Sequence, residues 1–149
     1  MTDIGFYHLV ATPLEKALPK LLEKVLGSGA RAVVMAGSTE RVEALNGLLW
    51  TYAPNGFLPH GSAKDGHAER QPIWLTAKDE NPNQATILVL TDGAMSDQLP
   101  SYARCLDVFD GADDAAVAQA RERWKLYKDA GHGLTYWQQT DSGGWERKN

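Results

Sequence analysis

Two short and almost continuous apolar runs constrain the fold of this chain more than any other feature. Residues 31–36 read RAVVMA, and residues 85–90 read ATILVL. Runs of this length without polar alternation are typical of strands that are buried on both faces of a parallel sheet. Because both faces of such a sheet must be covered, usually by helices, the two runs predict an open α/β domain.

Amphipathic helices are predicted between the strands. A first strand at residues 4–10 leads into a helix that we expect Thr12 to cap, with Glu15 completing a capping box. A second helix is expected to begin at a cap formed by Ser38 or Thr39. The resulting β-α-β-α order predicts right-handed crossovers and a single-domain, Rossmann-like open sheet, mostly parallel, with helices on both faces.

The remainder of the chain is predicted to hold short strands and loops. Residues 51–71 are rich in Pro, Gly, His and Lys, and we expect a long surface loop of the kind that often carries function. A short strand is expected at residues 73–76 and a final edge strand at 134–137. The domain is expected to span residues 1–139, and a polar, frayed tail is expected at residues 140–149.

Composition narrows the classes of partner. The chain has 149 residues and a net charge of −4, so its overall field does not attract nucleic acid and any cationic site must be local. Cys105 is the only cysteine, which excludes an internal disulfide and a cysteine zinc cluster. The sequence contains no apolar run of membrane-spanning length, and we expect a cytoplasmic protein without a signal peptide.

The last predicted helix, at residues 113–130, carries two parallel stripes. One stripe is apolar and contains Ala116, Ala120, Trp124 and Tyr127. The flank beside it is basic and contains Arg121, Lys125 and Lys128. Trp124 lies at the seam, where cations in water meet aromatic surface, and such a seam suits a ligand with an acidic part and an apolar part. The alternative is an ordinary amphipathic helix with a solvated face.

Sequence motifs of nucleotide-binding and hydrolytic enzymes are missing. The chain has no G-x-G-x-x-G after its first strand, no P-loop and no G-x-S-x-G. Its four histidines have no metal-ligand spacing and are His8, His60, His67 and His132. One enzymatic alternative remains, a small α/β nucleotide-binding or hydrolytic enzyme that uses the turn at residues 36–39. It predicts a deep pocket at the carboxyl ends of the strands, with Ser38 or Asp92 inside.

Three segments, taken in order, resemble the chi subunit of bacterial DNA polymerase III. They are FYHL at 6–9, LLW at 48–50 followed by FLPH at 57–60, and ARERWKLYK at 120–128 with Ala-Gly at 130–131. Their order and spacing fit nearly the whole chain except the tail. The resemblance implies a Rossmann-like fold without nucleotide chemistry, without catalytic residues, and without a cofactor or metal.

The resemblance also implies a binding function. Chi-like proteins bind the acidic, Phe-ending C-terminal tail of single-stranded-DNA-binding protein and thereby link it to the clamp loader, where a psi subunit is the second partner. Neither sequence-specific binding of nucleic acid nor a membrane is implied. By position, the expected tail-binding residues are Arg121, Trp124, Lys125, Lys128 and Phe57. Val117 departs from the pattern, because some members carry a Lys there.

Each expected residue has a physical role in binding such a tail. Arg121 can hold the terminal carboxylate through two parallel hydrogen bonds, which a lysine cannot do. Lys125 and Lys128 can act as point charges for aspartates. Trp124 and Phe57 can line a pocket for the terminal ring. The alternatives are that Trp124 lies wholly in the core and that Phe57 anchors the long loop.

Several further side chains are left with open roles. We expect Trp50 to lie in the core at a helix end. We expect Arg123 to project toward the apolar side of its helix and to pair with Glu122 or another acid. Other aromatic residues are candidates for closing the ring pocket, Tyr136 and Trp137, or for contacting a psi subunit, Trp74 and Trp145.

Overall fold

One eight-stranded sheet and three helices account for most of the structure, a computed structural model that describes residues 2–52 and 58–149. The strands are β1 Asp3–Leu9, β2 Ala32–Met35, β3 His60–Ser62, β4 Ile73–Thr76, β5 Ile87–Leu90, β6 Arg104–Asp110, β7 Gly133–Gln139 and β8 Trp145–Arg147. The helices are α1 Leu14–Gly27, α2 Thr39–Thr51 and α3 Asp114–Asp129, and single 3-10 turns occur at Ala68–Arg70 and Leu99–Ser101.

The strand order confirms the predicted open α/β sheet. The order is β3-β4-β2-β5-β6-β1-β7-β8, and every neighbouring pair is parallel except β7 with β8. Strand β1 lies between β6 and β7, so that Phe6 is level with Asp107 on one side and with Tyr136 on the other. These three side chains therefore project from the same face of the sheet.

The helices cover both faces of the sheet, as predicted. On one face α1 and α2 pack over a cluster that includes Tyr7 and Leu9 of β1. On the other face α3 packs over a cluster that includes Ile4 and Phe6 of the same strand. Within the part of the chain that the structure describes, no helix has the length and apolarity needed to cross a membrane.

The predicted cap of α2 is confirmed, and the predicted cap of α1 is wrong. Ser38 Oγ accepts the Arg41 backbone N–H at 3.2 Å at the start of α2. Pro13 occupies the N-cap position of α1 and makes no side-chain cap. Thr12 Oγ1 instead accepts a hydrogen bond from Gln139 Nε2 at 2.7 Å. The Thr12 hydroxyl therefore hydrogen-bonds to a side chain 127 residues away in the sequence, instead of capping the helix that follows it.

The expected surface loop at residues 51–71 contains a buried strand, so that expectation is wrong in part. His60 to Ser62 form β3, pair with β4, and are all buried. The two ring nitrogens of His60 contact the carbonyl oxygens of Leu58 at 2.5 Å and Asn46 at 3.2 Å. The expectation for Trp50 is also wrong, because 51% of its surface is exposed, while its ring lies 4.6 Å from that of His60.

The C-terminal residues are ordered into the sheet rather than frayed. Strand β8 pairs with β7, so β7 is an internal strand and not the expected edge. Trp145 packs edge-on against Tyr7 at 5.0 Å, which covers the end of the core. Trp74 is buried, and its Nε1 donates to Glu80 Oε1 at 3.0 Å. Trp74 is therefore not an exposed partner contact, whereas Trp145 is half-buried and stays a candidate.

A buried ion pair joins α3 to the sheet. Arg123 Nε donates to Asp107 Oδ2 at 2.7 Å, and Nη2 donates to Oδ1 at 2.9 Å, with side-chain exposures of 6% and 2%. Asp107 is thus the acid that Arg123 was expected to find, rather than Glu122. Burial raises the pKa of Asp107, and the hydrogen bonds from Arg123 oppose that rise. The two parallel bonds fix one face of α3 against β6.

We predict that Arg123→Met lowers the free energy of unfolding by about 3–5 kcal/mol, because it leaves the Asp107 carboxyl group buried without its partner. Urea denaturation measures the change. Lys148→Ala is the control, because it breaks the exposed pair with Glu146, at 3.5 Å, and should change stability by less than about 1 kcal/mol. Equal stability of Arg123→Met and Lys148→Ala would contradict a stabilising role for the buried pair.

Candidate functional site

A hollow of about 350 Å³ opens between α3 and the sheet. Its lining is mostly apolar or aromatic and consists of Phe6, Phe109, Val117, Ala120, Arg121, Trp124 and Tyr136. The volume falls within the range of about 300–1,000 Å³ that is usual for small-ligand pockets. Because the lining combines aromatic rings with a guanidinium, the hollow suits a ligand that is apolar at one end and anionic at the other.

Aromatic rings in edge-on contact shape the hollow. The ring of Phe6 lies 5.3 Å from that of Trp124 at 71°, and the ring of Trp124 lies 5.9 Å from that of Tyr136 at 68°. Phe109 continues the set at 6.4 Å from Phe6. Phe6 and Phe109 are buried, whereas Trp124 and Tyr136 are half-buried and keep ring surface open to a further aromatic group.

Helix α3 presents two of the predicted residues to this hollow. Trp124 is half-buried against the core, and Arg121 is exposed one turn before it. Two further cations, Lys125 and Lys128, are exposed along the same helix and do not line the hollow. Across residues 2–52 and 58–149, none of these three cationic side chains donates a hydrogen bond or joins an ion pair. Their charges remain available to a ligand.

The structure separates the two candidates for closing the pocket. Successive residues of β7 point to opposite faces, so Tyr136 lines the hollow while Trp137 lies on the other face. Trp137 stacks on Tyr7 there, with centroids 6.3 Å apart and planes at 12°. The remaining predicted residue, Phe57, lies outside the described residues.

Phe6 and Phe109 line the hollow but were not predicted from the sequence. The sequence pattern that could have indicated them is the two-residue alternation of inward and outward side chains in the strands that carry them. In β1 and β6 the register sets Phe6 level with Asp107 and His8 level with Phe109, so both phenylalanines face α3. Recognising this from the sequence would have required knowing that β1 and β6 are neighbours.

A histidine–tyrosine contact lies at one side of the hollow. His8 Nδ1 and the Tyr136 hydroxyl share a short hydrogen bond, and the His8 ring lies 4.9 Å from that of Phe109. Burial and the nearby Arg121 guanidinium lower the pKa of His8, while Asp110 raises it. Burial raises the pKa of Tyr136, and Arg121 opposes that rise. The contact is therefore electrostatically coupled to the cation at the hollow.

A second cavity, of about 360 Å³, lies at the carboxyl ends of the strands, where the enzymatic alternative places its pocket. Asp92 lines it, as that alternative expects, but Ser38 does not. The Asp92 carboxylate already accepts the Gly37 N–H at 3.1 Å and Arg41 Nε at 3.2 Å. In the described part of the chain, no group of three His, Cys, Asp or Glu side chains is arranged to hold a metal ion.

The charge of this second cavity opposes an anionic ligand. Its four lining carboxylates belong to Glu15, Asp92, Asp110 and Asp113, and its two guanidinium groups to Arg41 and Arg123. Both guanidinium groups are already engaged by carboxylates, at 3.2 Å and 2.7 Å. A phosphate group would therefore meet a net negative surface.

Comparison with known proteins identifies the family. Residues 1–135 match the family described as DNA polymerase III chi subunit, HolC. The chain belongs to this family. The match confirms the resemblance seen in the sequence, and as a chi subunit the chain is an accessory subunit of DNA polymerase III.

Individual chi subunits support the assignment. The "Probable DNA polymerase III subunit chi" of Rickettsia prowazekii is 36% identical over 107 residues, which are 70% of this chain and 65% of the relative. The DNA polymerase III subunit chi of Pseudomonas aeruginosa is 22% identical over 138 residues, 90% of this chain and 94% of the relative. The DNA polymerase III subunit chi of Escherichia coli is 25% identical over 108 residues, which are 72% of this chain and 73% of the relative.

We predict that Gly111→Ala lowers the free energy of unfolding by about 1–3 kcal/mol, because the added methyl group is overpacked. A Cβ at this position would lie 2.2 Å from the His8 ring and 2.3 Å from the Leu9 carbonyl oxygen. Since the carbonyl belongs to the backbone, side-chain rotation cannot relieve the clash. Urea denaturation measures the effect.

Gly47→Ala is the matched control. Gly47 lies inside α2, and a Cβ there meets nothing within 4 Å, so this variant should be more stable by about 0.5–1 kcal/mol. Wild-type stability of Gly111→Ala would contradict the described position of His8 against the β6–α3 connection.

Proposed function

We propose that this chi subunit is a non-catalytic adaptor that binds the acidic, Phe-ending C-terminal tail of single-stranded-DNA-binding protein and links it to the clamp loader in the cytoplasm. The observation that carries the proposal is the position of the exposed Arg121 guanidinium beside an aromatic hollow. Family membership supplies the second support. Arg121, Trp124, Lys125, Lys128 and Phe57 are the proposed contact residues.

The hollow supplies a place for the terminal Phe ring. The half-buried rings of Trp124 and Tyr136 present edges and faces to a further ring, and the buried ring of Phe6 packs against Trp124. Removing a Phe side chain from water stabilises a complex by roughly 2–3 kcal/mol. A ring of this size also fits a volume of about 350 Å³ with room for the adjoining backbone. The apolar lining therefore selects the last side chain of the tail.

The basic flank of α3 supplies the charges that an acidic tail needs. Arg121 has the planar donor pair that matches a terminal carboxylate, and a charge-assisted bond of this kind contributes about 1.5–3 kcal/mol. Lys125 and Lys128 continue along the helix, where they can attract the preceding aspartates. After the ordering of a flexible peptide is subtracted, we expect an affinity near micromolar, about −8 kcal/mol.

The link to the clamp loader requires a second partner, and we propose a psi subunit on the basis of family membership alone. Trp74 is buried and is therefore not an exposed contact for it, whereas Trp145 is half-buried and stays a candidate. The enzymatic alternative has one supporting observation, the cavity that contains Asp92. Its unfavourable charge makes the adaptor function the better supported of the two.

We predict that Arg121→Ala weakens binding of a synthetic acidic peptide ending in Phe by at least about tenfold, because one charge-assisted hydrogen-bonding group is lost. Isothermal titration calorimetry measures the dissociation constant. Wild-type affinity should also fall as salt is raised from low to physiological concentration, because exposed charges are screened over about 8 Å.

Arg70→Ala is the matched control, since it removes an exposed arginine from the β3–β4 connection at the other end of the sheet. A peptide with an amidated C-terminus tests whether the protein recognises the terminal carboxylate. Equal losses in Arg121→Ala and Arg70→Ala, or unchanged affinity for the amidated peptide, would contradict the proposed contact. Intact protein should also capture single-stranded-DNA-binding protein but not its tail-deleted form.

A further inference from the structure

The contact between His8 and Tyr136 limits what the hollow can offer to an anion. Tyr136 lines the hollow, and its hydroxyl is hydrogen-bonded to His8 Nδ1. A tyrosine hydroxyl has one proton to donate. In the neutral tautomer that carries its proton on Nε2, His8 Nδ1 accepts the hydrogen bond from the Tyr136 hydroxyl, and the hydroxyl oxygen then offers only lone pairs to the hollow. In that state Tyr136 repels a carboxylate placed beside Arg121.

Protonation of His8 reverses this arrangement. An imidazolium carries a proton on both ring nitrogens, so Nδ1–H donates to the Tyr136 oxygen. The hydroxyl proton is then free to turn toward the hollow. A carboxylate held by Arg121 would receive a second donor from Tyr136. The proton gained from solvent stays on His8, and no other bond is formed or broken.

We propose, resting on the tail-binding function above, that Tyr136 is a second carboxylate contact and that His8 positions its hydroxyl through a proton taken up when the tail binds. The carboxylate in question is the C-terminal one that Arg121 holds. Tyr136 and Arg121 both line the hollow, and the Arg121 guanidinium is near enough to lower the pKa values of both His8 and Tyr136.

The charged groups that face His8 give the direction of the effect. Burial lowers the pKa of His8 below its ordinary value of 6.5, and Arg121 of α3 lowers it further. Asp110 at the end of β6 raises that pKa, and Tyr136 of β7 is hydrogen-bonded to the ring. A bound carboxylate neutralises Arg121 and accepts from Tyr136, so it raises the pKa of His8. By linkage, the tail binds more tightly as the pH falls through the interval between the two pKa values.

Affinity measured at pH 8 and pH 6 tests the proposal, with the acidic Phe-ending peptide as the probe. We expect wild-type affinity to be roughly two- to fivefold tighter at pH 6 than at pH 8, because binding raises the pKa of His8 from a free-state value that lies below 6.5. Peptide carboxylates stay ionised over this interval, since their ordinary pKa values lie near 4. Calorimetry in two buffers with different ionisation enthalpies should show net proton uptake on binding.

Two variants separate the proposed effect of His8 on Tyr136 from simple charge attraction. Tyr136→Phe keeps the ring in the hollow and removes only the hydroxyl. We expect its affinity to depend less on pH than that of the wild type, because only the neutralisation of Arg121 is left to raise the pKa of His8. His8→Gln should lose the pH dependence. His67→Asn is the control, because it removes an exposed histidine from the β3–β4 connection and should keep the wild-type pH dependence.

The outcomes distinguish the two proposals. If the peptide binds through Arg121 but Tyr136→Phe keeps the wild-type pH dependence, the proposed role of His8 and Tyr136 is overturned and the tail-binding function stands. Equal wild-type affinity at pH 8 and pH 6 also overturns the proposed role of His8 and Tyr136 and leaves the tail-binding function standing. If Arg121→Ala binds the peptide as well as wild type, both proposals fail.

Discussion

The hydrogen-bonded pair between Arg123 and Asp107 fixes how α3 is rotated on the sheet, and the geometry of the hollow depends on that rotation. Because Arg123 points inward, Arg121 and Trp124, which are three residues apart, emerge together on the flank of the helix above the hollow. Lys125 follows Arg121 by one further turn and stays in solvent. A helix turned by one residue would bury the cations or expose the guanidinium of Arg123.

The alternation of side chains along β1 and β7 completes the site on the side of the sheet. Phe6 and Tyr136 occupy level positions on neighbouring parallel strands and face α3, while Tyr7 and Trp137 occupy the next level and form the opposite core. One pair of strands therefore serves both as structural core and as the floor of a hollow. Helix rotation and strand register are separate constraints, and both must hold for Arg121 to meet aromatic surface.

The parts of the structure that were predictable from sequence are those encoded by local periodicity. The apolar runs of the central strands and the two stripes of α3 needed no knowledge of tertiary neighbours. Long-range partners decided the rest. Gln139 donates a hydrogen bond to the Thr12 hydroxyl, which was expected to cap α1. Strand β3 lies inside a segment of polar composition, and Trp145 of β8 covers the end of the core. Phe109 was missed as a lining residue for the same reason, since its place depends on which strands are neighbours.

The central claim is that an aromatic hollow beside Arg121 receives the end of an acidic peptide. The most direct measurement follows the indole N–H signals of the five tryptophans in a ¹⁵N-labelled sample during titration with the Phe-ending peptide. The account predicts a large, saturating shift for Trp124 and none for Trp74, whose indole is buried against Glu80. Saturable binding that leaves the Trp124 signal unmoved would contradict it.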